Sequence, residues 1–163
     1  MSRKFMTDGD RADVARFIER HWGSTMILSG GQVYHPHLLE GLLERRDGEL
    51  VALLTFRTDG DSMELLTLNS TLEGKGIGSS LMLTVIDEGR KRGISRIWLS
   101  TTNDNLRAVG FYQRLGFRIV GVHIGMVDEA RRIKPQIPEI GRDGIPIHDE
   151  LVLELRVQPY SDG

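Results

Sequence analysis

The chain has 163 residues, a formal net charge of −2, a pI near 6.2 and no cysteine. One domain suits this length, and the absent thiols exclude a disulfide scaffold, a thiolate metal site and an acyl-cysteine mechanism. The charge balance speaks against a nucleic-acid partner, and with no apolar run near the roughly 18 residues of a membrane span and no apolar signal segment in MSRKFMTDGD, the protein is expected to be cytoplasmic, off the membrane, as a single domain over 1–163.

In chain order, Asp10 caps an expected helix over about 10–21, in which Val14, Phe17, Ile18 and His21 form one stripe. Residues 22–37 mix Trp22, Gly30, Gly31, Tyr34, His35, Pro36 and His37 without periodicity and read as an irregular segment of the kind that often carries function. Three strand-like runs follow at about 41–46, 49–57 and 62–69. Asp47-Gly48 and a TDGD turn join them, which predicts an antiparallel meander. A helix over 77–92 carries Ile77, Leu81, Met82, Val85 and Ile86 on one face and stops at Gly93. The next strand, 94–101, follows a crossover and should run parallel to the strand ending at 69. A helix over 104–115, a strand over 117–124, a segment at 126–148 holding a short helix and a proline- and glycine-rich loop, and a last strand alternating Leu151, Leu153, Leu155 and Val157 complete the chain. The order predicts an α+β domain, an α/β sandwich-like arrangement of a mixed central sheet with helices on both faces.

Residues 73–80, EGKGIGSS, lie between an apolar strand and a helix. Glycines at 74, 76 and 78 let a ligand approach the backbone, and the first N–H groups of a helix favour an anion, so this stretch is a candidate phosphate cradle. A Walker loop is excluded, because Lys75 precedes its glycine partner and is not followed by Ser or Thr. A dinucleotide fingerprint fits poorly: Ser79 stands in the place of the third glycine, and Ile94, Ser95 and Arg96 sit where an acidic residue is needed. Some thirty residues later comes NLRAVGFYQRLGF, 105–117.

Together the two stretches resemble the signatures of the GNAT superfamily of acyl-CoA N-acyltransferases. The first is its pyrophosphate loop, matched from Glu73 to Gly78 at every position but the first, where Arg or Gln is usual. The second is its Asn, Ala, Phe-Tyr, Leu-Gly-Phe pattern. The resemblance covers residues 63–124 closely. It implies a GNAT fold in which a parallel strand pair splays apart and acetyl-CoA is the co-substrate, with no metal. The pantetheine arm would lie along Leu66–Leu68, and the pyrophosphate on Gly74, Lys75, Gly76, Ile77, Gly78 and Ser79. Asn105 would contact the same arm. Tyr112 would protonate the departing thiolate, and Glu64 would take the amine's proton.

Each assignment has a plainer counterpart. Tyr112 fits a core stripe with Ala108 and Leu115, Asn105 a polar helix start, and Glu64 an outward-facing strand residue. His35 and His37 are too few for a metal site; with Trp22 and Tyr34, His35 is instead a candidate wall of the acceptor pocket. The expected activity is transfer of an acetyl group to a primary amine of a small molecule or peptide in a ternary complex, with a non-catalytic acyl-CoA-binding module as the alternative. The acceptor is not readable, and the oligomeric state, a homodimer included, stays open.

Overall fold

The computed structural model describes residues 2–161. Seven strands form one mixed sheet in the order β1-β4-β5-β6-β7-β9-β8. These are β1 (Ser2–Phe5), β4 (Glu40–Arg46), β5 (Glu49–Asp59), β6 (Ser62–Ser70), β7 (Arg96–Thr102), β8 (Arg118–His123) and β9 (Glu150–Arg156). Four helices accompany them: α1 (Arg11–Trp22), α2 (Ile77–Lys91), α3 (Leu106–Arg114) and α4 (Met126–Ile133). A separate hairpin pairs β2 (Ile27–Ser29) with β3 (Gln32–Tyr34). Among the described residues no helix is long and apolar enough to cross a membrane.

The expected meander is present. Arg46 pairs with Glu49 across Asp47 and Gly48, both at positive φ (53° and 81°), the backbone a two-residue turn needs to match strand twist. Asp59 pairs with Ser62 across Gly60 and Asp61. Two expectations are corrected. Residues 2–5, which had no strand assigned, pair with β4 from Ser2↔Arg45 to Phe5↔Leu42. The segment 22–37, read as irregular, contains the β2–β3 hairpin; Gly30 and Gly31 at its tip both have positive φ (57° and 79°).

Side-chain alternation divides the core between the two faces of the sheet. On one face, Ile77, Leu81, Met82 and Val85 of α2 pack on Leu42, Leu54, Phe56, Met63, Leu65 and Leu99, and Tyr112 of α3 joins them beside Phe117 and Leu153. On the other, Val14, Phe17 and Ile18 of α1 cover Leu43 and Leu53. The sheet is therefore sandwiched between helices, which buries most of its apolar side chains.

Two interruptions meet at one point of β6. Against β5 the register jumps from Phe56↔Leu65 to Thr55↔Thr67, leaving Leu66 as the extra residue of a bulge. Against β7 the parallel pairing runs from Ser62↔Arg96 only to Leu65↔Leu99, although both strands continue. A bulge bends its strand, and here the bend coincides with the parting of β6 from β7. Residues 66–70 of β6 thus face an open gap, and 100–102 of β7 form its other wall.

Candidate functional site

The gap is the floor of a cleft of about 980 Å³ that passes between β6 and β7 and is lined from both faces of the sheet. Leu66, Thr67 and Leu68 form one wall, Ser100 and Thr101 the other. Alternate residues of a strand turn both backbone groups to the same side, so the open edge of β6 presents N–H and C=O groups that an extended ligand could pair.

At one end of the cleft stands the glycine turn. Gly74 and Gly76 have φ of 72° and 69°, and Gly76 is the residue from which α2 starts. A Cβ on either would meet nothing within 4 Å, so these glycines serve backbone conformation rather than close packing. The N–H groups of Ile77, Gly78 and Ser79 open α2 without partners in the preceding turn, at the end of the helix where the dipole favours an anion. Glu73 and Lys75 are exposed, and Glu73 and Gly78 line the cleft.

Asn105 sits just before α3. Its Nδ2 donates to Thr101 Oγ1 (3.2 Å), and its Oδ1 accepts from Arg142 Nη1 (3.0 Å). Arg142 belongs to the loop after α4, whose position is fixed by close backbone contacts. Asp104 Oδ2 accepts the Arg142 N–H (3.0 Å), and Asn103 Oδ1 accepts those of His148 and Asp149 (both 3.0 Å). Arg107, Arg114 and Arg142 all line the cleft, giving it a cationic side beside α3. Arg107 and Arg114 lie on α3 and had no role assigned from the sequence; Arg142 was missed because nothing local in the 126–148 segment indicates that it folds back onto the start of α3.

Tyr112 lies in the cleft lining, 8% exposed, with its ring edge-on to Phe111 (5.1 Å between centroids) and Phe117 (5.4 Å). It belongs to the core stripe and reaches the cleft as well. Burial pushes its phenol pKa up, so the hydroxyl stays protonated at neutral pH.

Glu64 is 3% exposed and does not line the cleft. Its Oε1 accepts from Arg57 Nε (2.8 Å) and from Tyr34 Oη (3.4 Å), while the Arg57 guanidinium lies 5.6 Å from the Tyr34 ring centre. Tyr34 is thus tied to Glu64 rather than to the cleft lining. Trp22 does line the cleft, and its Nε1 donates to Asn69 Oδ1 (2.8 Å). His35 is exposed outside the cleft lining, its ring edge-on to His37 at 6.2 Å.

A second carboxylate, unassigned by the sequence reading, does line the cleft. Glu150, the first residue of β9, is 5% exposed and accepts the Gly30 N–H on Oε2 (3.0 Å). Burial raises its pKa above the usual carboxylate range; the Gly30 hydrogen bond and His123 oppose the shift, and Glu64 adds to it. The alternation of β9 hinted at this place, since Glu150, Val152 and Glu154 must share the face opposite Leu151, Leu153 and Leu155.

Comparison with known proteins agrees with this geometry. The profile of the Acetyltransferase (GNAT) family matches residues 11–117. The chain is 37% identical over 146 residues to the uncharacterized protein YxbD of Bacillus subtilis (strain 168), covering 89% of this chain and 92% of that one. Its fold is similar to that of a GNAT family acetyltransferase from Elizabethkingia anophelis with acetyl-CoA bound (TM-score 0.67, 18% identity, 96% of this chain and 97% of that one). It is also similar to an IAA acetyltransferase from Bacillus cereus ATCC 14579 (TM-score 0.68, 19% identity, 96% and 100%).

Proposed function

The chain belongs to the GNAT acetyltransferase family, and from that premise we propose that it transfers the acetyl group of acetyl-CoA to a primary amine, of a small molecule or a peptide, by direct attack. The observation that carries this reading is the parting of β6 from β7 after Leu65↔Leu99, with a glycine turn and a helix N-terminus at one end of the opening.

Under this reading the open edge at Leu66–Leu68 pairs with the amides of the pantetheine arm in the manner of an added strand. The N–H groups that follow Gly76 receive the pyrophosphate, with Lys75 nearby for charge. Asn105, fixed by Thr101 and Arg142, borders the same arm. Tyr112 donates its phenolic proton to the sulfur as the carbon–sulfur bond breaks. A backbone N–H of the bulged stretch near Leu68 stabilises the oxyanion that forms on the acetyl oxygen. Glu64 and Tyr34 lie outside the cleft lining and are engaged with each other and Arg57, which suits a structural role better than proton abstraction.

Two measurements test the reading together. Calorimetry with acetyl-CoA should show binding, and a thiol-reactive dye should report CoA release that depends on an added primary amine. Binding without transfer to any amine or protein N-terminus would remove the catalytic half of the proposal.

A further inference from the structure

Glu150 stands where two cavities meet. Behind it, a second pocket of about 450 Å³ shares Leu28, Ala130 and Glu150 with the main cleft. Its remaining apolar lining is Met126 and Ile133, with Gly31 at the tip of the β2–β3 hairpin. A pocket of this volume accepts a small organic group. Its charged residues besides Glu150 are Glu129 and Arg132, both exposed.

Ser100 provides an independent observation. Its Oγ is buried and has no hydrogen-bond partner among the described residues. Ser100 lines the cleft on β7, and the register Ser100↔Val152 and Thr102↔Glu150 puts it on the same face of the sheet as Glu150. A buried hydroxyl without a partner carries a desolvation cost that a bound polar group would relieve.

We propose, resting on the acetyl-transfer reading above, that the acceptor is a primary amine bearing a compact apolar group, with its nitrogen between Glu150 and Ser100 and its apolar group among Leu28, Met126, Ala130 and Ile133. Glu150 takes one proton from the substrate ammonium, and the Ser100 hydroxyl accepts a hydrogen bond from the nitrogen. The nitrogen lone pair then forms the bond to the acetyl carbon as the carbon–sulfur bond breaks. The nitrogen gives up its second proton, the sulfur gains one, and the products are an acetamide, CoA thiol and one proton released through Glu150. A second positive charge on the substrate would have to enter an apolar pocket, so polyamines are poor acceptors.

The test is a set of primary amines, from ethylamine through butylamine to benzylamine, with the triamine spermidine as the multiply charged comparison, assayed by CoA release. The value of kcat/KM should rise roughly fourfold for each buried methylene and be lowest for spermidine. Ala130→Phe, which fills the pocket, should flatten this preference. Glu150→Gln should lower kcat about 100-fold or more with every amine while leaving the acetyl-CoA Kd unchanged. With the wild type, kcat/KM should rise with pH through a carboxylate ionisation above the usual range, one that Glu64 and His123 also influence, with Glu129 and Arg132 lining the same pocket, and that Glu150→Gln should remove. A flat or reversed amine series, or full turnover by Glu150→Gln, would overturn the inference while leaving the acetyl-transfer reading intact. Absence of acetyl-CoA binding would instead sink the reading on which it rests.

Discussion

Arg57 Nε donates to Glu64 Oε1 at 2.8 Å, pairing a carboxylate only 3% exposed with a guanidinium that keeps 37% of its side chain in solvent. Breaking such a pair from the arginine side leaves a buried charge without its partner. Arg57→Leu should therefore destabilise the protein by about 2 kcal/mol, the solvent access of the site keeping the loss below that of a fully buried pair. Glu64→Gln, which retains an acceptor for Arg57, should cost less. Urea denaturation of both variants checks the order. Near wild-type CoA release by Glu64→Gln would in addition exclude Glu64 as the proton acceptor.

Gly76 holds φ of 69° where α2 begins, and its missing Cβ faces open space. A side chain there would clash with nothing but would oppose the left-handed backbone by about 1–2 kcal/mol. Gly76→Ala should thus weaken acetyl-CoA binding by roughly five- to tenfold as the N–H groups of the turn are re-aimed, and Gly76→Asn, which tolerates this conformation better, should recover part of the loss. Calorimetry with CoA distinguishes the two; equal affinity for all three proteins would detach the turn from the pyrophosphate.

Tyr112→Phe keeps the ring between Phe111 and Phe117 and removes only the hydroxyl. Stability should change by less than about 1 kcal/mol, while kcat falls roughly 100-fold and the acetyl-CoA Kd stays the same. A variant that turns over at the wild-type rate would leave Tyr112 as a core residue alone.

Gly141 has no room for a side chain. A Cβ would overlap Asp104 Oδ2 and lie 2.7 Å from Ile147 Cδ1, and that same Asp104 oxygen accepts the Arg142 N–H. Gly141→Ala must move the loop or lose the contact, at a cost of about 1–3 kcal/mol. It should also loosen Arg142 from Asn105 and so raise the acetyl-CoA Kd. Thermal denaturation together with calorimetry reads both effects.

The parts of the fold legible in the sequence are those encoded within a few residues. Asp47-Gly48 specified the β4–β5 turn, and Gly74 and Gly76 marked the start of α2, because positive φ is a local demand. The β2–β3 hairpin was missed although Gly30-Gly31 is a turn signal of the same type. Its strands, Ile27–Ser29 and Gln32–Tyr34, are three residues each, too short to establish an alternation. The strand β1 was missed because its pairing with β4 joins residues some forty positions apart. The same distance limit applies to the cleft. Glu150 is buried through its place beside Gly30, 120 positions earlier, and Arg142 reaches Asn105 across 37. No window of sequence holds both partners.

Asp10 stands before α1 without a side-chain hydrogen bond to that helix; its carboxylate instead joins β1, the Thr7 turn and β4. Its Oδ2 accepts from Lys4 Nζ (2.8 Å) and from the Thr7 N–H (2.9 Å), and its Oδ1 accepts from Arg45 Nη2 (3.3 Å). Lys4 first, then the Thr7 N–H, hold the Asp10 pKa well below the usual carboxylate range, against a smaller opposing effect of burial. A folded-state pKa below the unfolded one means that the folded protein binds fewer protons, so the group stabilises the fold above the unfolded value, about 3.9, and this contribution is lost as pH falls through the range between the two. Asp10→Asn should accordingly be less stable than wild type by about 1–2 kcal/mol at pH 7. The gap should narrow below about pH 4, where the wild-type advantage is titrated away. Urea denaturation at pH 7 and near pH 3 gives the comparison. A gap that stays constant with pH would assign the effect of Asp10 to shape and hydrogen bonding rather than to its charge.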